Sequence, residues 1–168
     1  MSYNDDQLRG VGGWLAFLVI SLMALGPLRL LIGTFGEVAE VEAGGAVVNI
    51  PNLGFITASI WVMALARLGM MIFTGWRLNR DFRRSTVKFA IIMLWLIGPV
   101  WSVVELLILG ALAGVNTLVS ASAVGAIAQP GVYALVWTLY LMMSKRVANT
   151  YDEDPTADAA TELADVFE

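Results

Sequence analysis

The chain has 168 residues, of which 58% are hydrophobic and 14% charged, and its formal net charge is -4. A soluble domain carries about 45–50% apolar and about 25% charged residues, so this composition excludes an ordinary soluble domain and predicts a membrane protein. The chain has no cysteine and no histidine. Their absence excludes Cys/His zinc sites, thiol redox chemistry and every nucleophile–histidine triad.

The first predicted membrane span covers about residues 12–35 and follows a short leader at residues 1–11. Its apolar stretch contains one charge, Arg29, and is long enough to cross about 30 Å of hydrocarbon. A cleaved signal peptide is the alternative, because Ala24-Leu25-Gly26 resembles a cleavage site. Pro27 follows that site directly and the apolar stretch continues past it, so we expect an uncleaved helix.

Three further spans are predicted at about residues 53–76, 88–113 and 118–143. A predicted external loop at residues 36–52 joins the first two spans and carries the glutamates Glu37, Glu40 and Glu42. The third and fourth spans are joined only by about residues 114–117, which predicts an antiparallel helical hairpin. The sequence therefore predicts an all-α, polytopic membrane protein with four transmembrane helices.

Eight of the ten basic residues lie on one side of this predicted bundle. One precedes the first span, two follow the last and five lie between the second and third spans: Arg9, Lys145, Arg146, Arg77, Arg80, Arg83, Arg84 and Lys88. The positive-inside rule predicts that this side, with both termini, is cytoplasmic. Residues 144–168 are predicted to form a cytoplasmic, acidic and disordered tail.

Three charges lie inside the predicted spans: Arg29, Arg67 and Glu105. Counting about 1.5 Å per residue places Arg29 and Glu105 each about 25 Å from the cytoplasmic face, so we predict an Arg29–Glu105 ion pair. This pair either fixes helix register or serves as a gate or proton-carrying carboxylate, unless Arg29 snorkels to external headgroups. We expect no second acid inside the membrane, which weighs against a proton pump.

Arg67 lies about 13 Å from the cytoplasmic end of its span, level with Tyr133 on the fourth span. Pro99 removes a helix hydrogen bond and should leave the Trp95 carbonyl free nearby. Arg67 is therefore either satisfied by Tyr133 and that carbonyl, or it binds a lipid phosphate or an anionic substrate.

Prolines occur inside three of the spans, at Pro27, Pro99 and Pro130. Kinked helices build binding sites in transporters, but they also occur where helices simply pack together. We assign these kinks to packing.

Three segments resemble one bacterial family of small membrane proteins, the 2569 family of domains of unknown function. They are Gly10-Val11-Gly12-Gly13-Trp14-Leu15, Pro27-Leu28-Arg29 and Ser144-Lys145-Arg146-Val147-Ala148-Asn149-Thr150-Tyr151. The resemblance covers roughly residues 8–151 and implies four helices in a bacterial inner membrane. It brings no activity with it.

No residue in the sequence is identified as catalytic, and we expect no cofactor and no metal. The favoured interpretation is a non-enzymatic accessory, scaffold or assembly subunit of a membrane complex. The alternative is a small transporter or channel component that uses Arg29, Arg67 and Glu105, and a lipid enzyme ranks third. The expected partners are membrane lipids and other membrane protein subunits or further copies of the chain, and no nucleic acid.

Overall fold

The computed structural model describes residues 10–48, 52–113 and 121–151, and every regular element within these ranges is a helix. In chain order the helices are α1 (Trp14–Ile20), α2 (Gly26–Val48), α3 (Leu53–Arg80), α4 (Arg84–Trp95), α5 (Trp101–Ala113), α6 (Ala121–Met143) and α7 (Lys145–Thr150). A π-helical turn at Ser21–Leu25 joins α1 to α2, and another at Leu96–Val100 joins α4 to α5. The predicted all-α fold is confirmed.

Four stretches of helix are long and apolar enough to cross a membrane. They cover Trp14–Gly45, Leu53–Arg80, Arg84–Leu112 and Ala123–Met143, and are called the first to fourth spans below. At 1.5 Å per residue the shortest, with 21 residues, extends about 31 Å and so matches a hydrocarbon core of about 30 Å. Large apolar side chains cover the outside of the bundle, where lipid can solvate them. The protein is therefore a multi-pass membrane protein.

The predicted end of the first span is wrong. The sequence places a loop at residues 36–52, but α2 continues to Val48. Val38 and Val41, which lie three residues apart, pack against Ile56 and Ile60 at the start of α3. The added helical turns bury apolar surface against a neighbouring helix, which favours helix over loop.

The other boundaries shift less. The second span begins at Leu53 as predicted, and the third begins at Arg84 rather than at residue 88. Lys145–Thr150, which the sequence assigns to a disordered tail, form α7, and the Ser144 hydroxyl accepts the Val147 N–H at its start. The predicted connection at residues 114–117 and the acidic residues beyond Tyr151 lie outside the described residues.

The prolines of the third and fourth spans meet where these two helices cross. A Cβ atom built on Gly98 would lie 3.3 Å from the Pro130 carbonyl oxygen, and one on Gly131 would lie 4.0 Å from the Pro99 ring. Since proline removes a backbone N–H and crowds the preceding turn, the wider π-helical turn around Pro99 accommodates the ring. The kink at Pro99 therefore lies where the third and fourth spans pack together, and the assignment of all three proline kinks to packing stays a prediction.

A large apolar cluster closes the end of the bundle at which α1 begins. Its buried members come from all four spans, from α7 and from Tyr151, which follows α7. They are Leu15, Leu18, Val19, Leu22, Leu78, Ala90, Leu94, Ala134, Trp137, Leu141, Val147 and Tyr151. At the opposite end, a smaller cluster of Val38, Ile56 and Ile60 joins the first span to the second, with Trp61 and Leu109 packed against it. The interior charges lie between these clusters.

The first and last motifs of the family resemblance meet at the α1 end. The Tyr151 hydroxyl donates to the Leu78 carbonyl at 2.5 Å, and the Thr150 hydroxyl lies 3.4 Å from the Gly10 carbonyl oxygen. The Arg146 guanidinium lies against Gly12, where a side chain would collide with it. Both ends of the described chain and the basic turn between α3 and α4 therefore lie at one end of the bundle, and the compartment that this end faces stays a prediction.

Candidate intramembrane charge site

Arg67 and Glu105 form an ion pair inside the bundle. Arg67 lies near the middle of α3 in the second span, and Glu105 lies on α5 in the third span. The Arg67 Nη1 atom is 3.7 Å from the Glu105 Oε2 atom, and the two side chains are only 20% and 24% exposed. Because an isolated charge is costly in hydrocarbon, each group makes the insertion of the other less unfavourable.

The predicted Arg29–Glu105 ion pair is wrong, since Glu105 pairs with Arg67. Arg29 is exposed on α2, and among the described residues it has no ion-pair or hydrogen-bond partner. Counting about 1.5 Å per residue estimates how deep a residue lies along a span, but it does not show on which side of the helix that residue lies. Each π-helical turn also contains about one extra residue. The helix that follows is therefore rotated about its axis relative to an uninterrupted α-helix.

The depth of Arg29 also differs from the prediction. Gly26 packs against Met71, and the Phe35 and Trp61 ring centroids are 4.9 Å apart, so these contacts fix the register between the first and second spans. In that register Arg29 lies level with Leu68, next in sequence to Arg67. Arg29 is therefore near the middle of the second span and not near the external edge.

The predicted contact between Arg67 and Tyr133 is wrong as well. The Tyr133 hydroxyl lies beside Ser21 on the first span, and its ring centroid is 6.0 Å from that of Trp137. Trp95 lies toward the fourth span, where its indole N–H donates to the Thr138 hydroxyl at 3.1 Å. The charge of Arg67 is balanced by the Glu105 carboxylate, which was predicted from the sequence to pair with Arg29.

Glu37 is the functional candidate that sequence reasoning missed. The helical extension of α2 carries Glu37 into the first span, where its side chain is half-buried and close enough to Glu105 for an electrostatic interaction. The helical spacing of Val38, Val41 and Gly45 was the signal in the sequence that could have revealed it. The first span, with 32 residues, is longer than a hydrocarbon core of about 30 Å, so the expectation that the membrane holds no second acid stays a prediction.

The site thus contains two carboxylates and one guanidinium. When all three are ionised, the cluster of Glu37, Arg67 and Glu105 has a net charge of -1. Such a cluster can hold one internal ion pair and can balance its remaining charge with a proton or a small cation. Within residues 10–48, 52–113 and 121–151, no three acidic side chains converge as a protein metal site would require.

Away from the ends of the spans, the polar side chains of Arg29 and Gln129 lie on the outer surface. Arg29 is exposed on α2, and Gln129 is exposed on α6 about one turn from the middle of the fourth span. No hydrogen-bond partner for either side chain is found in the part of the chain that the structure describes. Small residues surround Gln129 on the same exposed helix, namely Gly125, Ala126 and Ala128.

The chain matches the model of the family described as "Protein of unknown function (DUF2569)" over residues 8–151. This range includes all four spans and both of the motifs that meet at the α1 end. Comparison with curated proteins and with solved structures gives no significant match.

Proposed function

This chain belongs to the DUF2569 family of proteins of unknown function, and from that premise we propose that it is a non-enzymatic accessory or scaffold subunit of a membrane protein complex. The observation that carries the proposal is the location of the polar side chains. Arg67 and Glu105 neutralise each other inside the bundle, whereas Arg29 and Gln129 are exposed on membrane-spanning surface.

Exposed polar groups in a span favour contact with another protein. Hydrocarbon offers no hydrogen bond to an amide or a guanidinium, whereas a neighbouring helix can offer one. Helix association in membranes relies on close packing of small residues and on interhelical hydrogen bonds. The surface around Gln129 offers exposed small residues and an amide that can form such a bond. The outer surface is thus suited to binding other helices.

The same proposal places the protein in a bacterial inner membrane with both termini in the cytoplasm. It rests on the basic residues at the α1 end and on the positive-inside rule. A non-enzymatic role agrees with a chain that has neither cysteine nor histidine, since it cannot build the usual histidine-assisted nucleophile.

The proposal is tested by isolating the tagged full-length chain from its own membrane in a mild detergent and quantifying the proteins that co-purify. We expect a different membrane protein in fixed stoichiometry, and we expect Gln129→Leu to lower its recovery several-fold. Val124→Leu is the matched control, because Val124 is an exposed apolar residue on the same helix. Isolation of the chain with lipid alone, unchanged by Gln129→Leu, would contradict the proposal.

A small transporter or channel component remains a second candidate because Glu37 is close enough to Glu105, a member of the Arg67–Glu105 pair, for an electrostatic interaction. The extra carboxylate could carry a proton or a cation across the middle of the bundle. Liposomes containing the purified protein and a pH-sensitive dye test this candidate. It predicts a proton flux that Glu37→Gln abolishes and that Glu40→Gln, on the exposed side of α2, leaves unchanged.

A further inference from the structure

We infer that Arg29 marks the site on the first span where a different membrane protein docks, through a transmembrane helix that carries a carboxylate at the same depth. This inference rests on the proposed function and specifies the chemistry of the partner. It starts from an arginine that is exposed in the middle of a span and has no partner among the described residues.

The depth of Arg29 argues against a lipid phosphate as its partner. Arg29 is level with Leu68 of α3. Along α3, Leu68 is eight residues from Trp76 and thirteen from Phe55, which correspond to about 12 Å and 20 Å. An extended arginine side chain reaches about 6–7 Å, so snorkelling toward Trp76 leaves the guanidinium several ångströms short of the interface. A protein carboxylate at the same depth can reach it directly.

The surface around Arg29 can admit another helix closely. Gly33 and Gly36 follow Arg29 by four and seven residues, so all three lie on one side of α2. A Cβ atom at either glycine would meet no other atom within 4 Å. Leu25, Leu28 and Ile32 flank this strip and are 50%, 58% and 65% exposed. We call these six residues the Arg29 face.

A second copy of the chain does not supply the required carboxylate. Copies inserted in the same direction place each residue at the same depth. Glu37 and Glu105 lie half-buried at the interior site, and Glu40, which is exposed, lies eleven residues beyond Arg29, about 16 Å away along the helix. Within the described residues, no exposed acid of the chain therefore reaches the depth of Arg29, and a different protein is required.

The test uses a photo-crosslinking amino acid, benzoylphenylalanine, placed at Ile32 of the full-length chain in its native membrane. The same probe at Ile92, which is equally exposed on the third span, is the control. We expect the Ile32 probe, and not the Ile92 probe, to crosslink a membrane protein within one or two helical turns of an Asp or Glu. Crosslinks to lipid alone, or to a second copy of the chain, would overturn the inference.

Charge exchange then tests the contact itself. Arg29→Glu should lower the Ile32 crosslink at least tenfold, and replacing the partner's acid by Arg should restore it in that background. Arg29→Leu should also weaken the crosslink while leaving the melting temperature of the isolated chain unchanged, because Arg29 packs on the outside. If a partner co-purifies but the yield of its crosslink is the same in wild type and in the Arg29 variants, this inference fails while the proposed function stands. If no partner co-purifies, both fail.

Discussion

Arg67 and Glu105 bring opposite charges into the bundle from different helices, and each side chain is about one fifth exposed. At 3.7 Å the contact is an ion pair but is longer than a strong charged hydrogen bond. Removing one member leaves a charge in hydrocarbon without its counterion, whereas removing both leaves an apolar contact. The pair should therefore show strong energetic coupling.

We predict this coupling in a double-mutant cycle. Arg67→Leu and Glu105→Leu should each lower the free energy of unfolding by about 2–3 kcal/mol, and the double variant should lose less than their sum by about 1–2 kcal/mol. Reversible unfolding in mixed detergent measures these values. Arg29→Leu combined with Glu105→Leu is the control and should be additive within about 0.5 kcal/mol. Additive losses for Arg67 and Glu105 would contradict the ion pair.

Tyr151 makes stability depend on alkaline pH. Burial, with smaller contributions from Asp81 and Tyr140, raises the pKa of Tyr151 above its ordinary value of about 10. The folded protein therefore keeps the phenol protonated when the unfolded chain has already lost that proton. The contribution of Tyr151 is complete below about pH 10 and decreases as the pH rises above it.

Tyr151→Phe tests this dependence. At neutral pH the change leaves the Leu78 carbonyl without its donor and should cost about 1–2 kcal/mol. Melting temperatures in detergent at pH 7 and pH 11 should show the gap between wild type and variant narrowing at the higher pH. If the melting temperatures of wild type and variant fell by the same amount between pH 7 and pH 11, the result would contradict a buried, protonated Tyr151 phenol.

At the residue scale, the sequence identified Arg29, Arg67 and Glu105 as exceptional, because a charge in an apolar stretch is visible without a structure. It could not identify partners, since the side of a helix on which a residue lies depends on packing and on the two π-helical turns. Glu37 was missed for a related reason. A run with three glutamates among glycines and alanines looks like a loop until the packing of Val38 against α3 is known.

At the scale of the helices, the crossing of the third and fourth spans depends on the small size of Gly98. A Cβ atom at Gly98 would lie 3.3 Å from the Pro130 carbonyl oxygen, so the neighbouring backbone would have to shift by a few tenths of an ångström. The carbonyl there belongs to the main chain of α6 and cannot move aside as a flexible side chain could.

We predict that Gly98→Ala lowers the free energy of unfolding by about 1–2 kcal/mol, because the new methyl group separates the two helices. Gly69→Ala is the control, since a Cβ atom there meets nothing within 4 Å and alanine is the better helix former. It should be neutral or stabilising by up to about 1 kcal/mol. Equal effects of the two changes in detergent unfolding would show that the crossing tolerates a side chain.

Hydropathy predicted the existence of the four helices well, because about twenty apolar residues are needed to cross a membrane. It predicted their ends less well. The extension of α2 to Val48 and the ordering of α7 both arise from contacts with residues distant in sequence, as when Tyr151 of the final motif bonds to Leu78. The contacts of α7 leave no periodic signal in the sequence, and the helical spacing of Val38 and Val41 becomes decisive only once their packing against α3 is known.

At the scale of the whole molecule, the two motifs at opposite ends of the chain meet and close one end of the bundle. The basic turn between α3 and α4 lies at this end too, since the Tyr151 and Phe82 ring centroids are 5.9 Å apart. This arrangement gives the bundle one basic end. The positive-inside rule predicts that this end faces the cytoplasm.

Single cysteines test that assignment, and the chain has no cysteine of its own. With a membrane-impermeant maleimide applied from the side opposite the cytoplasm, Glu42→Cys should be labelled and Ser85→Cys should not. Glu42 lies near the end of α2, whereas Ser85 is exposed at the basic end. After the membrane is opened, both should react. The reverse pattern in intact cells would invert the proposed topology.

We propose that this bundle acts by binding other membrane proteins through its outer surface. The decisive experiment is native mass spectrometry of the tagged chain after extraction from its own membrane in a mild detergent. The proposal predicts an assembly whose mass includes at least one different protein chain in fixed ratio to this 18.2 kDa chain. Masses that are only whole multiples of 18.2 kDa, with or without bound lipid, would contradict it.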